Sequence, residues 1–198
     1  MKNVVVTGMG IVSCIGSDIQ EVLGSLKKGK SGITKNLIYE EMGFRSHISG
    51  AINLNLSELI DRKTLRFMSE ASGFGYIAAQ EALLNASLNL EEMNTSRIGI
   101  VAGSGGASSA AQIEASDVAR KRGPKRIGPY AVTKTMGSTV SAILGTTLKL
   151  KGVNYSISSA CSTSAHCIGH AAELIQLGKQ DIIIAGGAEQ DHWTSSSM

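Results

Sequence analysis

The segment SSACSTSAHC, residues 158–167, contains the side chain best suited to covalent chemistry, the thiol of Cys161. The residues before it, YSISS (155–159), have the pattern of a short strand, and residues 163–177 have the spacing of a helix. Cys161 is therefore expected at the start of a helix, where the positive end of the dipole and unpaired N–H groups stabilise a thiolate. Its neighbours are small, which leaves room for a substrate. These features predict a nucleophilic cysteine.

Two nearby residues are weaker candidates for chemistry. Cys167 lies six positions further on, about 240° around an ideal helix, and is expected to be a buried structural thiol. His166 lies about 140° from Cys161 on the same helix, so it is not expected to be the base for that thiol. His166 and His170 share a helix face, but a zinc site needs further ligands and none is evident nearby. No metal site is predicted, and the partners of Cys161 must come from elsewhere in the fold.

Two glycine-rich segments are similar to nucleotide-binding loops without matching them. TGMGIVSCIG (7–16) has Ser13 where a G-x-G-x-x-G motif has its third glycine, so a dinucleotide site is not predicted. GSGGASS (103–109) lacks the Lys and Ser/Thr pair that binds phosphates and magnesium in a P-loop. Both segments are expected to be tight turns after strands, the second one near a pocket.

Basic side chains are concentrated in RKTLR (62–66) and RKRGPKR (120–126). A charge run of this kind is usually a solvated surface, but two runs on one small domain favour an acidic partner or a phosphate-bearing ligand. Nucleic acid is not favoured, because aromatic residues make up only 4% of the chain and no nucleic-acid-binding module is recognisable.

The elements that must position Cys161 follow an alternating pattern. Short β-branched runs that end in glycine predict buried strands at 4–10, 98–106 and 182–189, and 155–159 supplies a fourth. Helical spacing predicts helices at 17–29, about 64–86, 129–148 and 163–177. This alternation predicts a layered α/β fold with a largely parallel sheet.

Composition narrows the class of protein. The chain has 198 residues, of which 42% are hydrophobic and 18% charged, and a net charge of +3, which predicts one folded domain of ordinary size. Its three cysteines form no paired framework, which favours a reducing compartment, and we expect a cytoplasmic protein. No apolar run approaches the roughly 18–20 residues that span a bilayer.

Only QDHWTSSSM follows the last predicted strand, and we expect that the C-terminus is cut short.

Residues along the whole chain resemble one enzyme family. The stretch GVNYSISSACSTSAHCIGHAAELIQLGKQDIIIAGGAE is similar to the nucleophile region of the β-ketoacyl-acyl carrier protein synthases, the condensing enzymes of fatty acid synthesis, and most of all to the type I enzyme. The segments VVVTGMGIVSCIG, KSGI, RSHISG, LIDRKTLRFM, AGSGG and GPYAVTK resemble that family in order and spacing.

The resemblance implies a thiolase-like fold, with two similar α/β halves in an αβαβα sandwich, and a homodimer. It implies that Cys161 takes an acyl group from acyl carrier protein as a thioester, and that the carbanion formed by decarboxylation of malonyl-carrier then attacks this thioester. The substrates carry a phosphopantetheine arm, and no further cofactor or metal is implied. The resemblance also implies two sets of binding residues. Those for the carrier protein are Arg62, Lys63, Arg66, Lys125 and Arg126, and those of the acyl pocket are Thr135, Met136 and Gly137.

The chain also departs from the family. The two histidines and the lysine of the family lie in motifs of the HGTST, KAMTGH and GFGGTN kinds, and none occurs here. Residues 1–198 therefore correspond to the N-terminal domain, without the C-terminal half, and we expect no condensation by this chain alone. A non-catalytic subunit that binds carrier protein, or a condensing enzyme of polyketide synthesis, are the alternatives.

Overall fold

The computed structural model describes residues 2–196, which form ten α-helices, three short 3₁₀ helices and five strands among them. The helices are α1 (Ile19–Lys27), α2 (Leu37–Glu41), α3 (Leu56–Leu59), α4 (Arg62–Leu65), α5 (Glu70–Asn85), α6 (Ser109–Arg122), α7 (Ala131–Thr135), α8 (Thr139–Thr147), α9 (Thr163–Gln176) and α10 (Trp193–Ser196). The strands are β1 (Thr34–Lys35), β2 (Ile48–Ser49), β3 (Ile98–Gly103), β4 (Asn154–Tyr155) and β5 (Ile182–Gly187). None of these helices is long and apolar enough to cross a membrane.

The central sheet is parallel, in the order β4–β3–β5. β3 pairs with β5 along its whole length, from Ile98 opposite Ile182 to Gly103 opposite Gly187. Every residue of β3 is buried, as expected for a strand covered on both faces. β1 and β2 form a separate antiparallel pair. The prediction of an α/β fold with a largely parallel sheet is confirmed.

Helices cover both faces of this sheet. Because side chains alternate across a strand, Ile100 points to one face, where it packs with α5 and α8, including Val140 and Leu144. Val101 points to the other face, where it packs with α9 through Cys167 and Ala171. The helix that follows Cys161 therefore packs on the sheet through a buried apolar contact.

The N-terminal segment differs from its prediction. Residues 4–10 were expected to form a strand, but they have no strand partner in the described chain, and Val5 and Val6 are 74% and 77% exposed. The segment packs on α5 instead, where Gly8 and Gly10 lie so close to the helix backbone that a Cβ on either would overlap carbonyl oxygens of α5. A β-branched run favours an extended chain, but only a neighbouring strand completes its hydrogen bonds.

Two of the predicted helices are each divided. The helix expected over 64–86 begins at Glu70, because Ser69 caps it by accepting from the Ser72 N–H, and α4 precedes it as a separate turn. The helix expected over 129–148 is broken between α7 and α8, where Met136 has extended backbone angles. The hydroxyl of Thr139 donates to the carbonyl of Met136 at 2.6 Å, which stabilises the break.

The strand expected at 155–159 is paired as a strand only at Asn154–Tyr155. Beyond Tyr155, serine hydroxyls instead of backbone N–H groups donate hydrogen bonds to carbonyls near the end of β3. Ser156 Oγ donates to the Ala102 carbonyl at 2.6 Å, and Ser158 Oγ donates to the Ser104 carbonyl at 3.0 Å. This part of the chain therefore follows the end of β3 and leads directly to Cys161.

A cluster of charges joins the start of β3 to the start of β5. Arg97 donates to both carboxylate oxygens of Asp181, at 2.8 and 2.9 Å, and Lys2 donates to the same carboxylate at 3.2 Å. The hydrogen bonds from Arg97, and then those from Lys2, hold the pKa of Asp181 well below its usual range.

Asp181→Asn is expected to lower stability near neutral pH and to have less effect in acid. A carboxylate whose pKa is lowered by folding stabilises the fold above the unfolded pKa of about 4, and this contribution is lost as the pH falls towards the folded pKa. The measurement is the urea midpoint of both proteins between about pH 6 and about pH 3. Asp117→Asn, in a looser pair with Lys121 at 3.5 Å, is the control. A constant difference between wild type and Asp181→Asn would contradict this role.

Candidate active site

Cys161 lies in the turn between β4 and α9, at the carboxyl end of the parallel sheet. Its side chain is exposed, and α9 begins two residues later at Thr163. The positions predicted from sequence for the thiol and for its helix are confirmed. The thiol is therefore open to an incoming substrate while the helix that carries it is anchored in the core.

The backbone of this turn is strained. Ala160, immediately before the cysteine, has φ of +52°, in the left-handed region that alanine rarely adopts. This conformation costs roughly 1–2 kcal/mol, and it persists only where the surroundings hold it. The Ala160 carbonyl accepts from the Thr163 N–H at 3.1 Å, and Thr163 is buried. Strain of this kind is concentrated at functional sites, which favours a functional role for the turn.

The glycine-rich loop after β3 packs directly beneath the turn. A Cβ on Gly105 would lie 2.6 Å from the carbonyl oxygen of Ala160, so only glycine fits. Gly103 is equally close to the backbone of Ile157. The sequence predicted a tight turn near a pocket here, and the structure shows that this loop contacts the strained residue next to Cys161.

The N–H groups of this loop are bound by a carboxylate of the protein. Glu189, just beyond β5, accepts from the N–H groups of Gly105 and Gly106 and, at 2.9 Å, from Ser104 Oγ. The donors that would bind phosphate in a nucleotide loop are thus occupied. Sequence reasoning missed Glu189, and its position directly after a glycine-ended strand is the signal that could have found it.

The other two cysteines occupy different environments. Cys167 is fully buried against Val101 and Ala171, which confirms the predicted structural role. Cys14 is half-buried, and its sulfur would lie 2.8 Å from a Cβ on Gly32 and 3.0 Å from a Cβ on Gly50. Of the three thiols, Cys161 alone is exposed.

The histidines of α9 are engaged separately. The Nδ1 atom of His166 forms a 2.6 Å hydrogen bond with Ser159 Oγ, and the Nδ1 atom of His170 lies 3.2 Å from Glu173 Oε2. Among residues 2–196, no group of three His, Cys, Asp or Glu side chains is placed to hold a metal ion.

The basic residues are exposed, and aromatic rings link their two segments. The guanidinium of Arg66 lies 5.1 Å from the ring of Phe67 and 5.5 Å from that of Tyr130. Phe67 and Tyr130 also contact edge to face. Arg62 and Lys63 lie on α4 before Arg66, and Lys125 and Arg126 lie in a 3₁₀ turn before Tyr130. The structure therefore places Arg66 beside Tyr130, shortly after the second basic segment, which sequence spacing alone did not show.

The remaining predicted residues lie at the break between two helices. Thr135 is the last residue of α7, and Met136 and Gly137 form the connection to α8. Thr135 and Met136 are half-buried and Gly137 is exposed, with open space around its Cα. These residues therefore lie on an irregular segment and not within the continuous helix that was expected.

Two cavities lie away from Cys161. One of about 620 Å³ is bordered by Cys14, Glu21 and Lys28. The other, of about 910 Å³, is bordered by Tyr39, whose hydroxyl donates to Asp191 at 2.6 Å. Burial, and then this hydrogen bond, raises the pKa of Tyr39. Neither cavity is lined by Cys161 or by residues 135–137.

The chain is similar to known proteins over its whole length. The family model described as "Beta-ketoacyl synthase, N-terminal domain" matches residues 1–196. The 3-oxoacyl-[acyl-carrier-protein] synthase 1 of Haemophilus influenzae is 55% identical over 194 residues, which are 98% of this chain and 48% of that protein. The chain thus spans about half the length of the curated relatives it matches.

Solved structures show the same arrangement. A beta-ketoacyl synthase from Burkholderia phymatum superposes with a TM-score of 0.86 at 27% identity, over 100% of this chain and 49% of that one. At 21% identity and a TM-score of 0.73, 94% of the chain also matches half of a chain in the AntDE:AntF structure, described as a type II polyketide acyl-carrier protein in complex with its ketosynthase. The second likeness bears on the fold alone.

Proposed function

The chain belongs to the beta-ketoacyl synthase family through the N-terminal domain of that family, and we propose that it is the N-terminal half of a 3-oxoacyl-[acyl-carrier-protein] synthase of fatty acid synthesis. The observation that carries this proposal is the exposed thiol of Cys161, next to the strained Ala160 at the start of α9. A relative with this name is 55% identical to the chain, which favours fatty acid synthesis over polyketide synthesis.

The reaction proposed for this half is acyl transfer to Cys161. The thiolate attacks the carbonyl carbon of an acyl thioester, a new carbon–sulfur bond forms to Sγ, and the bond to the carrier's phosphopantetheine sulfur breaks. That sulfur leaves and takes up a proton as a free thiol. The N–H of Cys161 is proposed to stabilise the negative oxygen of the intermediate, because an oriented backbone donor needs no rearrangement during the reaction.

The second step requires groups outside this chain. Malonyl-carrier loses carbon dioxide, and the resulting carbanion forms a carbon–carbon bond to the carbonyl carbon of the Cys161 thioester. The carbon–sulfur bond to Cys161 breaks, Sγ leaves as a thiolate, and the acyl chain on the carrier is longer by two carbons. We propose that a second half, with the histidine and lysine motifs that the sequence lacks, supplies the partners for decarboxylation. The substrates bring the phosphopantetheine arm, and the proposal includes no other cofactor.

The basic segments are proposed to bind acyl carrier protein. All five basic side chains are exposed, and the guanidinium of Arg66 lies within cation–π distance of the Phe67 and Tyr130 rings. Complementary charge of this kind raises the association rate and is weakened by salt. The Haemophilus relative is named for a reaction on acyl carrier protein, which supports this choice of partner.

The remaining assignments belong to the whole enzyme. Thr135, Met136 and Gly137 are proposed to border the acyl pocket, because the open space at Gly137 leaves room for a chain or a second subunit. We propose a homodimer in the cytoplasm, where the reduced thiol required for the reaction is maintained.

The test is acyl transfer from an acyl carrier protein thioester to the chain supplied with a second half from the Haemophilus relative. Intact mass is expected to rise by one acyl group, and peptide mapping is expected to place that group on Cys161. Raising the salt from about 0.05 M to about 0.5 M is expected to slow the transfer at low carrier concentration. Acylation of Cys14 or Cys167 instead, or no acylation, would contradict the proposal and favour a non-catalytic carrier-binding subunit.

A further inference from the structure

The turn that carries Cys161 is tied to α9 by side chains on both sides of the cysteine. Before it, the Ser159 N–H donates to Thr163 Oγ1 at 2.9 Å, and the Ser159 carbonyl accepts from the Ser162 N–H at 3.1 Å. After it, His166 Nδ1 forms a 2.6 Å hydrogen bond with Ser159 Oγ. We call Ser159, Thr163 and His166 the 159–166 clamp.

The clamp residues lie on both sides of the strained part of the chain. Its members enclose Ala160, which has φ of +52°, and the nucleophile Cys161. A left-handed alanine returns to ordinary angles unless its neighbours prevent it. Thr163 is buried and cannot move without disturbing the core, whereas Ser159 is half-buried and His166 is exposed. The hydrogen bond between Ser159 and His166 is therefore the contact of the clamp that lies nearest to solvent.

This contact also defines what His166 does. The Nδ1 atom faces Ser159 Oγ at a distance typical of a short hydrogen bond, so this nitrogen is occupied by the turn. One turn further along α9, His170 contacts Glu173 and the ring of Tyr155 and has no contact with the turn in the described structure. The two histidines of α9 thus differ in a way that their sequence spacing did not predict.

We propose that Ser159 and His166 are positioning residues for Cys161, which hold the turn so that the thiol stays at the N-terminal end of α9. The relevance of this inference to acyl transfer rests on the proposed function, whereas the hydrogen bonds themselves are features of the structure. The bond lies at the surface, where a hydrogen bond adds little to global stability, so its loss acts on the turn and not on the fold.

The test compares the alkylation rates of Cys161 and Cys14 by iodoacetamide in the intact chain, measured by peptide mass spectrometry. In Ser159→Ala and His166→Leu, Cys161 is expected to react about 5–10-fold more slowly, as for the loss of one hydrogen bond that holds the reactive geometry. Cys14 in the same molecules reports any general change in conformation. His166→Asn, whose amide occupies the position of Nδ1, is expected to restore the rate to within about 2-fold.

His170→Leu is the matched control and is expected to leave Cys161 unchanged. Equal rates in wild type and in both clamp variants, failure of His166→Asn to rescue, or a parallel fall in the thermal midpoint would overturn the positioning role. Acyl transfer by the assembled enzyme separates the two proposals. If the wild type accepts no acyl group but the alkylation pattern holds, the proposed function fails and the clamp stands. If acylation occurs but the variants alkylate like wild type, the clamp fails and the function stands.

Discussion

Replacing Cys161 with alanine is expected to abolish condensation by the assembled enzyme, with a loss of at least about 10⁴-fold in turnover. The reason is that the alanine variant has no atom that forms the thioester, and no other thiol is placed to substitute. Cys167 is fully buried, and Cys14 packs against Gly32 and Gly50 in another part of the chain. The measurement is the formation of 3-oxoacyl product from acyl- and malonyl-carrier, followed by mass spectrometry.

Cys14→Ala is the matched control, since it also removes one thiol, and it is expected to keep more than half of the activity. Cys161 is exposed and makes no packed contact with the core, so the alanine variant is expected to unfold at the wild-type temperature. Activity in Cys161→Ala above about 1% of wild type would show that the thiol is not the nucleophile.

Local patterns were enough to place Cys161 and the helix that follows it. The change from a strand pattern to helical spacing placed Cys161 at a junction, and the angle of 100° per residue separated it from Cys167. Both results depend on residues that are near one another in sequence. The buried strand predicted at 98–106, which the structure shows at Ile98–Gly103, was found for the same reason, because a strand covered on both faces is apolar along its length.

Features that depend on distant contacts were not predictable in this way. Glu189 binds a loop more than eighty residues earlier in the chain, and nothing in its own segment shows that partner. Ala160 adopts a left-handed conformation that alanine does not favour by itself. At the break near Met136, the Thr139 hydroxyl lies 2.6 Å from the carbonyl oxygens of both Thr133 and Met136, contacts that a continuous helix would not have. Each of these features is imposed by the tertiary structure and opposes the local preference.

The N-terminal segment is the most informative of the wrong predictions. The β-branched sequence of residues 4–10 favours a strand, but the structure has none there, and Val5 and Val6 remain exposed. Lys2 bonds to the Gln176 carbonyl and to Asp181, so the segment begins beside the start of β5. Beyond that point, no backbone hydrogen bond in the described chain joins residues 4–10 to β5, which is paired on one side only. Residues 4–10 therefore have the sequence pattern of a strand but no neighbouring strand to pair with in the described chain.

Condensation is therefore expected only when the proposed second half is supplied, either as a separate chain or fused to this one. We expect it to cover the free edge of β5 and the exposed valines, together with the exposed face of α9 that includes Ile168, which is 50% exposed. Without it, these surfaces remain in water, and the proposed partners of Cys161 in decarboxylation are missing. Turnover by the 198-residue chain alone is expected to be indistinguishable from the rate without enzyme.

Amide hydrogen exchange measures directly whether the second half covers these surfaces. Amides of residues 4–10 and 182–187 are expected to exchange at least about 10²-fold more slowly once the second half is bound, because exposed strand edges open readily and paired ones do not. Val5→Asp is expected to weaken both the protection and the recovered activity, since burying an unpaired carboxylate is costly. Val5→Thr keeps the shape of the side chain without a charge and serves as its control. Recovered activity without protection at either segment would show that the second half is not bound at these surfaces. Condensation by the chain alone would show that the second half is not required.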